Sequence, residues 1–173
     1  MQLEINQITI RKAILEDVPT IFYVIQESFK KYCENSGLEE PPDALRETVD
    51  DIRKDILTKQ VLVAVLDGKI VGTLRYQILA DQTVYLTRFG VLPSFHRAGI
   101  GQSLMNEVDD QLIKAGVNRI FLYTAAKNKD LVRFYYGRGF YVESTNTDRG
   151  YLRALMVKEL KAKQNLTPNA QIL

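Results

Sequence analysis

Ile8-Thr9-Ile10-Arg11 alternates apolar and polar residues, the period of a strand with one face covered. The period then lengthens. Glu16 and Asp17 open a segment in which Val18, Phe22, Ile25 and Phe29 recur at helical spacing, so a helix is expected to about Tyr32, with Pro19 tolerated in its first turn. Residues 33–43, CENSGLEEPPD, lose all periodicity at Gly37 and Pro41-Pro42 and read as a loop. A second helix is expected over residues 44–58, where Leu45, Val49, Ile52 and Ile56 share one face.

Two strands, residues 61–66 and 70–76, flank Asp67-Gly68-Lys69, and Asp-Gly between apolar runs predicts a hairpin. A third, residues 84–91, follows the turn Ala80-Asp81-Gln82, so the three form an antiparallel meander. Pro93 ends that strand, since it brings no amide to a ladder. Then comes a glycine loop, and from Ile100 the residues Leu104, Met105, Val108, Leu112 and Ala115 hold one helical face, with Gly116 at the left-handed cap position. A strand over 119–124, a helix over 128–138 ended by Gly139, and strands over 140–142 and 151–157 complete the pattern, with 143–150 read as turn. This order predicts an α/β fold with a mixed sheet. The domain is expected over residues 1–160, with 161–173 a frayed polar tail that includes the glycosylation-like pattern Asn165-Leu166-Thr167.

Composition narrows the function. A chain of 173 residues fits one domain. A net charge of +2, with charged residues spread evenly, argues against a nucleic-acid partner. Cys33 is the only cysteine and His96 the only histidine, which excludes an internal disulfide and points to no metal site. No apolar run approaches the roughly 20 residues of a membrane span, and no signal-peptide core opens the chain, so a cytoplasmic protein without a membrane partner is expected.

The candidate chemistry lies at the glycine loop. Gly99 and Gly101 allow close backbone approach, and the helix beginning at Ile100 aims free amides and a positive dipole end into the loop. Such a place suits a phosphate or pyrophosphate. It is neither a dinucleotide fingerprint, which needs a glycine where Leu104 stands, nor a P-loop, which needs Gly-Lys-Ser/Thr.

Phe95-His96-Arg97-Ala98-Gly99-Ile100-Gly101 resembles the pyrophosphate loop of the GNAT superfamily of acetyl-CoA-dependent N-acetyltransferases. The stretch Asn128 to Phe140, with Phe134-Tyr135 followed by Gly139-Phe140, resembles that superfamily's last helix. The resemblance implies a GNAT fold, a mostly antiparallel sheet of about seven strands with about four helices, splayed at the cofactor site. It implies acetyl-CoA as co-substrate, with Arg97, Ala98, Gly99, Ile100, Gly101, Gln102 and Ser103 around the pyrophosphate and the pantetheine along Phe89, Gly90 and Val91. Gly90 would suit a bulge there, and the Val91 amide would face the thioester carbonyl. The resemblance also gives Asn128 a cofactor contact and Tyr135 the role of acid to the departing thiolate.

Two positions depart from that pattern. His96 stands where the family usually has Gln or Arg; an imidazole can still donate to a phosphate, but less constantly than a guanidinium. The strand leading into the loop carries no glutamate, so the base is open: ordered water, a carboxylate of the 34–43 loop, Asp148, or an acceptor that binds already neutral. The expected activity is acetyl transfer to a small-molecule or peptide amine in a ternary complex. A non-catalytic acyl-CoA sensor is the alternative, and a homodimer is possible.

Overall fold

The structure, a computed structural model, describes residues 7–160; the expected tail and Asn165-Leu166-Thr167 lie outside the described residues. In chain order the elements are β1 (Ile8–Lys12), α1 (Val18–Ser36), α2 (Asp43–Arg46), α3 (Val49–Thr58), β2 (Gln60–Leu66), β3 (Lys69–Ile78), β4 (Thr83–Val91), α4 (Ile100–Lys114), β5 (Arg119–Ala125), α5 (Lys129–Gly137), β6 (Tyr141–Asn146) and β7 (Arg153–Glu159). They build one open seven-stranded sheet in the order β1-β2-β3-β4-β5-β7-β6. Every neighbouring pair is antiparallel except β4 and β5. No described helix is long and apolar enough to cross a membrane.

Both faces of the sheet are covered. Ile100, Leu104, Val108 and Leu112 of α4 pack on Leu74, Leu86, Ile120, Leu122 and Met156. On the opposite face Ile21 and Ile25 of α1 and Ile52 of α3 pack on Val61 and Val63. Strand β2 therefore supplies both layers, Leu62 and Ala64 to one and Val61 and Val63 to the other, which is why it reads as an unbroken apolar run.

The β2–β3 hairpin turns on Asp67 and Gly68 at φ 51° and 74°, the two positive values a type I′ turn requires. Helix α4 ends as its sequence predicts: Gly116 takes φ 73°, and the amide of Val117 bonds the Leu112 carbonyl at 3.0 Å.

Three boundaries differ from the sequence reading. Helix α1 continues past Tyr32 to Ser36 and stops only where Gly37 adopts φ 62°. The helix expected over 44–58 is broken: Glu47 is extended, and Thr48 caps α3 in a reciprocal bond with Asp51. Burial of the Glu47 side chain against Arg75 enforces that break, and it leaves Val49 exposed rather than on the apolar face. Finally, β6 reaches Asn146 and β7 begins at Arg153, so the turn is shorter than 143–150, because pairing with β7 recruits polar residues into a solvent-facing edge strand.

Candidate functional site

Parallel pairing between β4 and β5 covers only Thr83↔Arg119, Val84↔Ile120 and Tyr85↔Phe121. Beyond that point the strands part. The cause lies in β4, where the register against β3 steps from Thr73↔Gly90 to Arg75↔Thr87, one extra residue, with Arg88 at φ 53°. The bulge thus falls on Arg88-Phe89, not on Gly90. Gly90 serves packing instead: a Cβ there would stand 2.3 Å from Ser28 Oγ of α1.

Helix α1 is tied across the gap by polar residues four apart. Ser28 lies against Gly90, Tyr32 Oη accepts the Ala125 amide at 2.7 Å, and Ser36 Oγ accepts Asn128 Nδ2 at 3.1 Å. The sequence reading ended this helix near Tyr32 and missed the Ser28, Tyr32, Ser36 stripe, whose regular spacing was the available signal.

A cavity of about 920 Å³ opens on one side of the gap. Of the predicted cofactor residues, Phe89, Gly90, Val91, His96, Arg97, Gly99, Gly101, Gln102 and Asn128 line it; Ala98, Ile100 and Ser103 do not. Ile100 is fully buried in the core. The amide of Ala98 bonds Phe95 O at 3.1 Å and that of Ser103 bonds Gly99 O at 3.0 Å, so neither is free for a ligand. The free amides at the start of α4 belong to residues 99–102. Gly99 reaches φ 79° to begin the helix, whereas Gly101 is held to glycine by the Phe89 ring, 2.9 Å from where a Cβ would lie. Lys31, Arg97, Arg133 and Arg138 against Asp130 make this lining cationic, which suits an anionic ligand beside a helix start.

Leu92 donates its amide to Val71 of β3, so by strand alternation the amide and carbonyl of Val91 face the gap. His96 Nε2 donates to that carbonyl at 2.8 Å, directed at the strand edge rather than at the loop amides. Asn128 caps α5, its Oδ1 accepting the Leu131 amide at 3.2 Å, while its amide nitrogen holds Ser36. Its side chain is therefore mostly committed to structure, although it borders the cavity.

A second cavity, about 410 Å³, opens on the other side, and Tyr135 lines it. Phe29, Tyr32, Phe89 and Leu131 border both cavities and so form the partition between them. Burial pushes the Tyr135 phenol well above its ordinary value, with Tyr32 adding to the shift, so the hydroxyl stays protonated at neutral pH. Of the carboxylates considered as base, Glu40, Asp43 and Asp148 line this cavity; Glu34 and Glu39 line neither. Thr87 and Arg88 both border it.

Behind Arg88 lies a charge cluster that no sequence motif announces. Arg75 is fully buried and meets both oxygens of Glu47, with Nη2 to Oε2 at 2.8 Å, and Asp55 Oδ2 at 2.9 Å. Arg88 Nε reaches the same Glu47 at 3.3 Å. This network pins the α2–α3 break to β3 and to the bulge. Among the described residues no group of three or more His, Cys, Asp or Glu comes together as a metal site.

The family model described as Acetyltransferase (GNAT) family matches residues 22–140. A spermidine N(1)-acetyltransferase of Thermoplasma acidophilum is 29% identical over 148 residues, covering 80% of this chain and 91% of the relative. An uncharacterized N-acetyltransferase of Mycobacterium tuberculosis is 34% identical over 94 residues, 53% of this chain and 58% of that protein. Among solved structures, the PaiA N-acetyltransferase from Thermoplasma acidophilum in complex with coenzyme A superposes with a TM-score of 0.79 at 27% identity, covering 88% of this chain and 99% of that one. The ribosomal-protein-S18-alanine N-acetyltransferase from Escherichia coli shares the fold, with a TM-score of 0.72 at 20% identity over 92% of this chain and 99% of that one.

Proposed function

The chain belongs to the acetyltransferase (GNAT) family and is an acyltransferase, and from that premise we propose that it passes an acetyl group from acetyl-CoA directly to an amine while both are bound. The observation that carries this reading is the pair of cavities that open on opposite sides of the β4–β5 gap and share one partition. Two substrates entering from opposite sides meet there, and holding them together supplies much of the rate.

Each residue then has a bounded task. The free amides of residues 99–102 hold the pyrophosphate. The Val91 amide, facing the gap, donates to the carbonyl oxygen as the amine nitrogen attacks and negative charge develops. As the carbon–sulfur bond breaks, the Tyr135 hydroxyl gives its proton to the sulfur. Its raised pKa keeps that proton in place until the thiolate forms. Glu40, Asp43 and Asp148 are the side chains positioned to receive the proton the amine loses. Cys33 supports direct attack by its position: it lines neither cavity, and burial, helped by Glu34, raises its thiol pKa.

The acceptor is an amine, the class named by the spermidine N(1)-acetyltransferase relative. Calorimetric titration with acetyl-CoA, paired with a thiol-release assay against a panel of amines, tests the reading. Binding with release for one amine class is the expected result; failure to bind acetyl-CoA overturns it.

A further inference from the structure

Both cavities are lined by arginines, but those of the acceptor cavity are left unused by the acetyl-transfer reading. Arg46, Arg88, Arg149 and Arg153 all line that cavity. Arg149 is matched by Asp43 at 2.8 Å, and Arg46 lies 4.0 Å from Glu40, whose side chain is 88% exposed at the rim. Asp148 is likewise exposed. The acids thus stand where water solvates them.

Arg153 is different. It is half-buried, its Nε is buried with no hydrogen-bond partner, and it enters no ion pair among the described residues. Its guanidinium lies 4.3 Å over the Tyr123 ring, an arrangement that fixes the plane while leaving the outer donors free. Tyr123 in turn meets Tyr85 edge-on, and Tyr85 stacks on Phe121, so the cation rests on an aromatic floor. Burial raises the Tyr85 phenol pKa, and the charges of Arg153, Arg88 and Arg149, which line the same cavity, oppose that shift. Arg88 approaches from the bulge, held there by Glu47.

A planar donor fork held in a partly desolvated cavity without an anion is an incomplete pair, and a carboxylate completes it. Resting on the acetyl-transfer reading of the gap, we infer that Arg153, with Arg88 and the Tyr85 hydroxyl, forms a carboxylate subsite, and that the acceptor is an amino carboxylate rather than a polyamine. A polyamine would bring further positive charge to these arginines.

The test compares matched acceptors that differ only in the carboxylate: lysine against cadaverine, ornithine against putrescine, tyrosine against tyramine and histidine against histamine, with spermidine alongside. For at least one pair the amino acid should exceed its decarboxylated partner by tenfold or more in kcat/KM. Arg153→Gln should collapse that ratio toward one, and Arg153→Lys should restore part of it. A higher kcat/KM for spermidine or for the decarboxylated amines, or a ratio unchanged in Arg153→Gln, overturns the subsite. A turnover-independent readout accompanies it: the corresponding N-acetyl amino acids should raise the melting temperature of the wild type but not of Arg153→Gln, and no shift with any of them also overturns it. Loss of acetyl-CoA binding in the wild type would instead indict the acetyl-transfer reading, which the melting shifts do not depend on.

Discussion

The two cavities that meet at the β4–β5 gap are built by different means. The larger is walled by the strand end and loop over residues 89–102 and by the helix that follows Asn128, closed over by α1. It offers backbone amides at a helix start and the edge of a strand. The smaller draws side chains from Phe29 to Arg153, contributed by α1, the α2 region, β4, β5, α5 and the loop before β7. The contrast teaches how each kind of chemistry is encoded. Backbone groups can be presented by one short motif, whereas a side-chain constellation for a particular acceptor must be assembled from distant segments.

The sharpest way to break this comparison is Glu47→Ala. It takes the bidentate partner from the buried Arg75, leaving Asp55 alone to pair the cation, and should cost about 3 kcal/mol of stability. If the cavities are separable, the surviving folded protein keeps its acetyl-CoA affinity while acceptor KM rises, because Arg88 loses its anchor. Denaturant melts with calorimetry would show this, and an equal loss on both sides would merge the two regions into one.

Tyr135→Phe comes next. It removes the hydroxyl yet keeps the ring that packs on Phe89, Phe134 and Phe140. Turnover should fall about 100-fold or more with acetyl-CoA affinity unchanged. Unaltered kcat would remove Tyr135 from the chemistry.

Gly90→Ala tests the seam between β4 and α1. The new methyl would meet Ser28, so the variant should lose about 1–3 kcal/mol, and pairing it with Ser28→Gly should recover most of that. Thermal melts of the single and double variants decide whether this seam is the cause.

The smallest effect serves as a control remote from both cavities. Asp17 accepts Arg11 at 2.7 and 3.0 Å and the Ile14 amide at 2.9 Å, and these bonds, the Arg11 pair foremost, hold its carboxyl below the usual range. A depressed carboxyl stabilises the fold above the unfolded-state pKa of about 4 and loses that contribution as pH falls through the folded-state value. Asp17→Asn should therefore cost up to about 1 kcal/mol at neutral pH and progressively less in acid, without changing either substrate's affinity. Stability curves against pH would reveal any departure.

How legible each part was follows from how far apart its partners lie. The α4 stripe, the Asp67-Gly68 turn and the left-handed Gly116 are settled by residues within a few positions, and each reads directly from pattern and residue type. Nine of the twelve residues expected around a cofactor line the larger cavity for the same reason, whereas Ala98, Ile100 and Ser103 do not, and the α1 and α5 side chains that complete that lining were not legible. Tyr135 was singled out through its motif frame, but its place in the lining of the smaller cavity was not legible.

By itself the sequence determined the element order, the meander, the glycine loop with its helix and the family those motifs mark, because local backbone preferences and apolar periodicity act over single turns and strands. Tertiary structure alone decided the rest. Glu47 breaks a helix to meet Arg75, 28 residues away, and anchors Arg88, 41 residues away. Residues 143–146 became a strand because β7 offered them a partner. Arg153 came to rest over Tyr123 because its strand pairs beside β5. In each case the deciding free energy is burial or pairing with a distant segment, and no window along the chain contains it.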